Sequence, residues 1–228
     1  MKQFQAVIFD LDGLLLDTEN IALSAFLDTC THFNLPLLEE VFIRCIGTNQ
    51  SRGRELLEDG LRGQVDHLAF REMWDRFLER AMDKPIPLKE GAVELLNHIS
   101  AIPIPLAVAT STHTNGAREK LHMAGILDRF AVVVGGDQVA YSKPAPEIYL
   151  RAAEILGVAP TACLALEDSE NGVRSAISAG MTVVQIPDLV QPSVALRALG
   201  HIVLRTLGDV AIFPFDLGQA QDNSTGMS

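Results

Sequence analysis

The sequence predicts an α/β fold built on a parallel sheet, and three observations predict it. Short apolar, β-branched runs alternate with amphipathic stretches from Ile86 onward, which is the pattern of repeated βαβ units. Hydrophobic residues make up 48% of the 228 and aromatics only 6%, with Ala, Leu and Val dominant. That palette suits strands buried on both faces between helices. The apolar runs are followed by "DLDG", "TSTHTNG", "GGDQVAYSKP", "LEDSENG" and "IPD", and open parallel sheets bind ligands beyond the carboxyl ends of their strands.

Taken in order, strands are expected near Ala6–Phe9, Ile104–Ala109, Ala131–Val134, Cys163–Leu166 and Thr182–Ile186, with a weaker one at His201–Leu204. Helices are expected between them at Ala92–Ile99, Ala117–Met123, Pro146–Leu156 and Val173–Ala179, with Gly125, Gly157 and Gly180 where helices should stop. From Glu19 to Lys84 the alternation lapses. Apolar residues recur there with helical period, as Ala22, Ala25, Phe26, Cys30 and Phe33, and again as Phe70, Met73, Trp74, Phe77 and Ala81. The aromatic stripe reads as helix packing, and "DKPIPLKEG" as a stiff connector. The expected architecture is a Rossmann-like core of residues 1–17 and 86–228, with an α-helical cap inserted at 18–85.

Composition narrows the partners. A formal charge of −11 without a Lys/Arg cluster opposes binding to a nucleic-acid backbone. No apolar stretch has the length of a bilayer span or the pattern of a signal peptide. Cys30, Cys45 and Cys163 lack zinc-ligand spacing. They are expected to be reduced, in a soluble cytoplasmic protein with no membrane partner that acts as a monomer. The polar end Gly218–Ser228 is expected to be disordered.

The chemistry gathers at the strand ends. Asp10 and Asp12 stand two apart, so in extended backbone both point to one side while Leu11 points to the other. Glu167 and Asp168 join them at another strand end. Four converging carboxylates need compensation, and an oxygen-only donor set favours a hard cation such as Mg²⁺. Lys143 in "SKPAP" offers a second positive charge, and Thr110 and Ser111 offer donors ahead of a helix N-terminus. Together these groups describe a phosphoryl-transfer site acting on a small phosphorylated metabolite. In that reading Asp10 is the nucleophile, and Asp12 protonates the leaving oxygen and then accepts a proton from water. An EF-hand reading fails because Leu14 and Leu15 occupy positions that need a ligand and a glycine. Gly135-Gly136 lacks the rest of a dinucleotide fingerprint. Taken alone, Glu167-Asp168 also reads as a helix N-cap. His113 and the cap residues Arg44, Arg52 and Arg54 could reach substrate but read more readily as solvated surface groups.

From "FDLDGLLLDTE" through "ATST" and "SKPAPEIY" to "LEDSENGVRSAISAGM", the chain resembles the phosphatase branch of the haloacid dehalogenase superfamily. The nearest group by motif is the β-phosphoglucomutase-like and phosphoglycolate phosphatase-like one. The resemblance implies Mg²⁺, Asp10 as nucleophile and Asp12 as general acid/base. It implies phosphate contacts from Thr110 and Lys143, and metal contacts from Asp10, the Asp12 carbonyl, Asp168 and Glu167. The mutase of that group carries a histidine where this chain has Ala22, and a shorter Gly-to-Arg loop than the Gly47–Arg52 spacing in "GTNQSRGR". A phosphatase is therefore expected over a phosphoryl-transferring mutase. A receiver-type phospho-acceptor is a more distant alternative, because a receiver has no large insertion after its first strand.

Overall fold

The structure, a computed structural model, describes residues 3–46, 50–213 and 216–217. A two-residue strand β1 (Gln3–Phe4) leads into β2 (Ala6–Phe9), followed by four helices, α1 (Thr18–His32), α2 (Glu39–Cys45), α3 (Gln50–Leu61) and α4 (His67–Met82). The chain then alternates α5 (Ala92–Ser100), β3 (Leu106–Ala109), α6 (Thr114–Met123), β4 (Val132–Val134), α7 (Glu147–Leu156), β5 (Cys163–Glu167), α8 (Glu170–Ser178) and β6 (Thr182–Gln185). Short elements follow, α9 (Val194–Arg197), β7 (Ile202–Val203), α10 (Leu207–Ile212) and β8 (Asp216–Leu217). Gly125, Gly157 and Gly180 take left-handed backbone (φ 70, 69 and 81°) and end α6, α7 and α8.

Six strands form one parallel sheet in the order β4-β3-β2-β5-β6-β7. The chain leaves β2 to build one half of the sheet and returns beside β2 with β5 to build the other. This makes the carboxyl end of β2 the switch point where open α/β sheets bind ligands. Strand alternation divides the residues between two faces. Val7, Phe9, Leu106, Val108, Leu164 and Leu166 face α5, α6 and α10, while Ala6, Ile8, Ala107, Ala109, Cys163 and Ala165 face α7 and α8. The alanines of the second face let those two helices lie close to the strands there. The expected strand positions hold to within two residues. The pairing of β1 with β8 was not foreseen, and the Gly218–Ser228 end lies outside the described residues.

Among the described residues the inserted segment holds four helices, two of which, α1 and α4, carry the periodic stretches that the sequence shows. Phe26 is the hub of a separate apolar cluster, with its ring centroid 5.2–5.5 Å from those of Phe42, Phe70 and Trp74. Leu189 from the core packs against the same cluster. The two linkers run side by side. Leu16 bridges Leu88, the Asp17 amide donates to the Pro87 carbonyl at 2.9 Å, and the Lys89 amide donates to the Leu15 carbonyl at 2.9 Å. The Lys89 ammonium lies 3.0 Å from the Asp17 carboxylate and 2.7 Å from that of Asp188. Among the described residues no helix is long and apolar enough to cross a membrane.

Candidate active site

Phe9 ends β2, and the next residue, Asp10, is 6% exposed. Gly13 turns the chain with φ +83°, a region that side chains with a Cβ avoid. The space there is also closed, because a Cβ on Gly13 would fall 2.5 Å from an oxygen of Asp168. The following Leu14, Leu15 and Leu16 are buried and anchor the acid-bearing loop to the core.

Lys143 holds this loop to the neighbouring strand ends. Its side chain is 6% exposed, and Nζ donates to Asp10 Oδ1 (2.5 Å), Glu167 Oε1 (2.6 Å) and the Ala109 carbonyl (3.0 Å), so all three of its protons are used. The Lys143–Pro144 peptide is cis. Glu167, fully buried, also accepts from the Tyr149 hydroxyl at 2.5 Å, and its second oxygen accepts from the Asp168 amide at 3.2 Å. A Cβ on Gly172 would fall 1.9 Å from the Glu167 carboxyl, so only glycine lets α8 pass over this carboxylate. Gly172→Ala is expected to displace Glu167 and cost about 1–3 kcal/mol. A thermal melt checks this, and an unchanged midpoint would contradict it.

The cap role suggested for Glu167-Asp168 falls instead on Ser169, whose hydroxyl accepts from the Gly172 amide at 3.2 Å. The carboxylates of Asp10, Glu167 and Asp168 are thereby free to converge, with one oxygen of each within 4.8 Å of the others. Asp10 is raised to about 7, by burial first and by Glu167 next, against the opposing pull of Lys143. Asp168 is raised well above the usual carboxylate range by burial, then by Asp10 and Glu167. Burial lowers the proton affinity of Lys143, but Asp10 and Glu167 outweigh it and raise the lysine above its ordinary value. When ionised, three carboxylates and one ammonium leave a net charge of minus two, which a divalent cation matches.

Asp12 takes different partners from Asp10. Its Oδ1 accepts from Lys120 Nζ at 2.6 Å and its Oδ2 from the Thr112 hydroxyl at 2.6 Å. Its side chain therefore stands outside the three-carboxylate cluster, although Asp10 and Asp12 line one cavity of about 730 Å³. Thr110, Ser111, Lys143 and Asp168 line the same cavity, and Glu19, Ile46 and Arg52 reach it from the inserted helices. Thr110 is buried, with its hydroxyl accepting from the Thr112 amide at 3.1 Å, while Ser111 is exposed. Arg52 pairs with Glu55 at 2.9 Å, and His113 is exposed, 3.7 Å from Asp137.

Sequence reasoning missed Lys120, Thr112, Tyr149 and Glu19. Lys120 sits between Ala117 and Leu121 on the buried stripe of α6, and Tyr149 carries the polar tip of a buried stripe on α7. A polar group on such a stripe is a signal that could have found both. Glu19 is raised to about 7 by burial, then by Asp12 and Asp188.

The family model of haloacid dehalogenase-like hydrolases matches residues 7–186. The chain belongs to this family. Among curated relatives of this haloacid dehalogenase-like hydrolase, the phosphorylated carbohydrates phosphatase of Thermotoga maritima is 34% identical over 177 residues, 78% of this chain and 82% of the relative. The fructose-1-phosphate phosphatase YqaB of Escherichia coli is 30% identical, over 81% of this chain and 97% of its own. Among solved structures, that of CbbY from Rhodobacter sphaeroides in complex with xylulose-1,5-bisphosphate aligns with a TM-score of 0.67 at 27% identity. It covers 91% of this chain and 96% of the other. The shared fold is thus an α/β core with a helical cap.

Proposed function

We propose that this hydrolase is a Mg²⁺-dependent phosphatase of a phosphorylated carbohydrate, working through an aspartyl-phosphate on Asp10. The observation that carries the reading is Lys143 bridging Asp10 and Glu167 beside Asp168 at the switch point of the sheet. The names of the two curated relatives and the sugar bisphosphate in the CbbY complex favour a sugar ester as substrate. Asp10, Glu167 and Asp168 would hold the metal, with the Asp12 carbonyl as the resemblance adds. The donor set is all oxygen and its residual charge suits a divalent ion. When bound, Mg²⁺ supplies positive charge to the phosphoryl oxygens.

Asp10 attacks phosphorus, the bond to the sugar oxygen breaks, and Asp12 gives that oxygen its proton. Lys143 and Thr110 offer donors to the phosphoryl group. Water then attacks phosphorus, Asp12 takes its proton, and Asp10 leaves as a free carboxylate. The inserted helices over the cavity supply the discrimination between sugars and exclude bulk water when the linkers let them close. A panel of phosphorylated metabolites incubated with Mg²⁺ or EDTA tests the reading. Metal-dependent phosphate release supports it, and no release from any member contradicts it.

By the resemblance, the mutase reading would require a proton-bearing side chain at position 22. Ala22 has none, and it packs against the Phe26 cluster with its carbonyl accepting from Trp74 Nε1 at 3.3 Å. Formation of glucose 6-phosphate from β-glucose 1-phosphate would overturn the preference for hydrolysis.

Metal binding should be visible without turnover. Asp10 and Asp168 are raised in the folded protein, so between about pH 4 and pH 7 the folded state holds more protons than the unfolded chain. Stability without metal therefore falls as pH rises through that window. Mg²⁺ needs the deprotonated carboxylates, so its stabilising effect grows over the same range. At about 100-fold over the dissociation constant it should contribute about 2.7 kcal/mol. That is a midpoint gain of roughly 5–10 °C at pH 7.5, and a smaller one at pH 5. No gain at pH 7.5, or an equal gain at both, would contradict the site.

A further inference from the structure

Lys120 makes an ion pair that the reaction scheme above leaves unused. Its ammonium lies 2.6 Å from Asp12 Oδ1, the two side chains are each 24% exposed, and the residues are 108 positions apart in the chain. This is a half-buried contact between two elements, unlike the solvated pairs along the surfaces of α3, α4 and α8. Side chains in a helix lean toward its N-terminus, which carries the Lys120 ammonium from the last turn of α6 back toward the strand ends. Thr112, in the loop between β3 and α6, takes the other oxygen of Asp12 at 2.6 Å. Both oxygens are thus held by groups of the sheet domain. From the inserted helices, Glu19 is close enough for its own proton affinity to be raised by Asp12 and lowered by Lys120.

We propose that Lys120 is a positioning residue for Asp12, holding its carboxylate beside Asp10 for the second half of the reaction, attack of water on the aspartyl-phosphate. The proposal rests on the phosphatase reading. Once the sugar has left, water adds to phosphorus and the bond from phosphorus to the Asp10 oxygen breaks. The electron pair returns to Asp10, and one water proton passes to Asp12. An acid–base group fixed by the inserted helices would be lost each time they opened to release the sugar. Anchored on Lys120 and Thr112, Asp12 stays in place for water, which favours hydrolysis over return of the phosphoryl group to a sugar hydroxyl.

Lys120→Met and Lys120→Arg, assayed with p-nitrophenyl phosphate and Mg²⁺, test this directly. Nitrophenolate leaves without needing a proton, so the first step bypasses Asp12 and only the water step depends on it. Lys120→Met is expected to lower kcat by about 10–100-fold. KM should fall by the same factor, with kcat/KM unchanged and phosphoenzyme accumulating in acid-quenched samples. Lys120→Arg, which keeps the cation, should recover most of the rate. Unchanged kcat in Lys120→Met would overturn the proposal, as would a fall in kcat/KM without phosphoenzyme, which marks a merely structural role. If the wild-type protein releases phosphate from neither p-nitrophenyl phosphate nor sugar phosphates, the phosphatase reading fails and this proposal falls with it. Wild-type turnover beside an indifferent Lys120→Met overturns the role of Lys120 alone.

Discussion

Asp10→Asn is expected to lower phosphate release by on the order of 10⁴-fold or more, the scale on which enzymes lose rate when a covalent nucleophile is removed. The amide fills the same space in a buried site but cannot form the acyl phosphate. Neither folding nor the hold of Lys143 on Glu167 (2.6 Å) should be lost, since the substitution removes one of three converging acids and leaves the ammonium a carboxylate partner. Steady-state assay beside a thermal melt separates the two effects. Near-normal turnover by a folded Asp10→Asn protein would end the assignment of Asp10.

Lys143→Met should show the largest loss of stability. The ammonium is buried and bonded to two carboxylates and a carbonyl. Its removal leaves Asp10, Glu167 and Asp168 facing one another without a cation. Breaking a buried ion pair on one side costs about 3–5 kcal/mol, or roughly 6–20 °C of melting midpoint for a chain of this size. The loss should be greatest in EDTA at neutral pH, where the carboxylates are under most pressure to ionise, and should shrink as acid neutralises them. Activity should fall at least about 100-fold with it, through loss of a donor to the phosphoryl group. A midpoint in EDTA equal to that of the wild type would show that Lys143 is not what balances these acids.

Two acids two residues apart after β2 are tolerated because each has its own lysine. Asp10 is balanced by Lys143 and Asp12 by Lys120. Only the first lysine was legible in the sequence, because "SKPAP" stands in the loop that follows a predicted strand, whereas Lys120 lies inside a helix and reaches Asp12 across 108 residues. The strands were legible for a local reason: Ala6–Phe9, Leu106–Ala109 and Cys163–Leu166 are continuous apolar runs, each followed at its carboxyl end by an acid or a hydroxyl. The pairing of Gln3–Phe4 with Asp216–Leu217 was not legible, since two residues carry no periodicity and the partner is far away in the chain. In the inserted segment, α1 and α4 announced themselves by length, while α2 has only seven residues, too short to establish a helical period. Tyr149 lies in a stretch legible only as a helix, and the hydroxyl that holds Glu167 becomes visible only when that helix lies on the sheet.

The most direct test of the account is to find where the phosphoryl group goes. Wild-type protein is mixed with Mg²⁺ and p-nitrophenyl phosphate, quenched in acid within one turnover, digested and analysed by peptide mass spectrometry. One added phosphoryl group is expected on the peptide that carries Asp10, labile to hydroxylamine as an acyl phosphate is, and absent when EDTA replaces Mg²⁺. Release of nitrophenol with no phosphoryl group on that peptide at any quench time, or with the group on another residue, would contradict it.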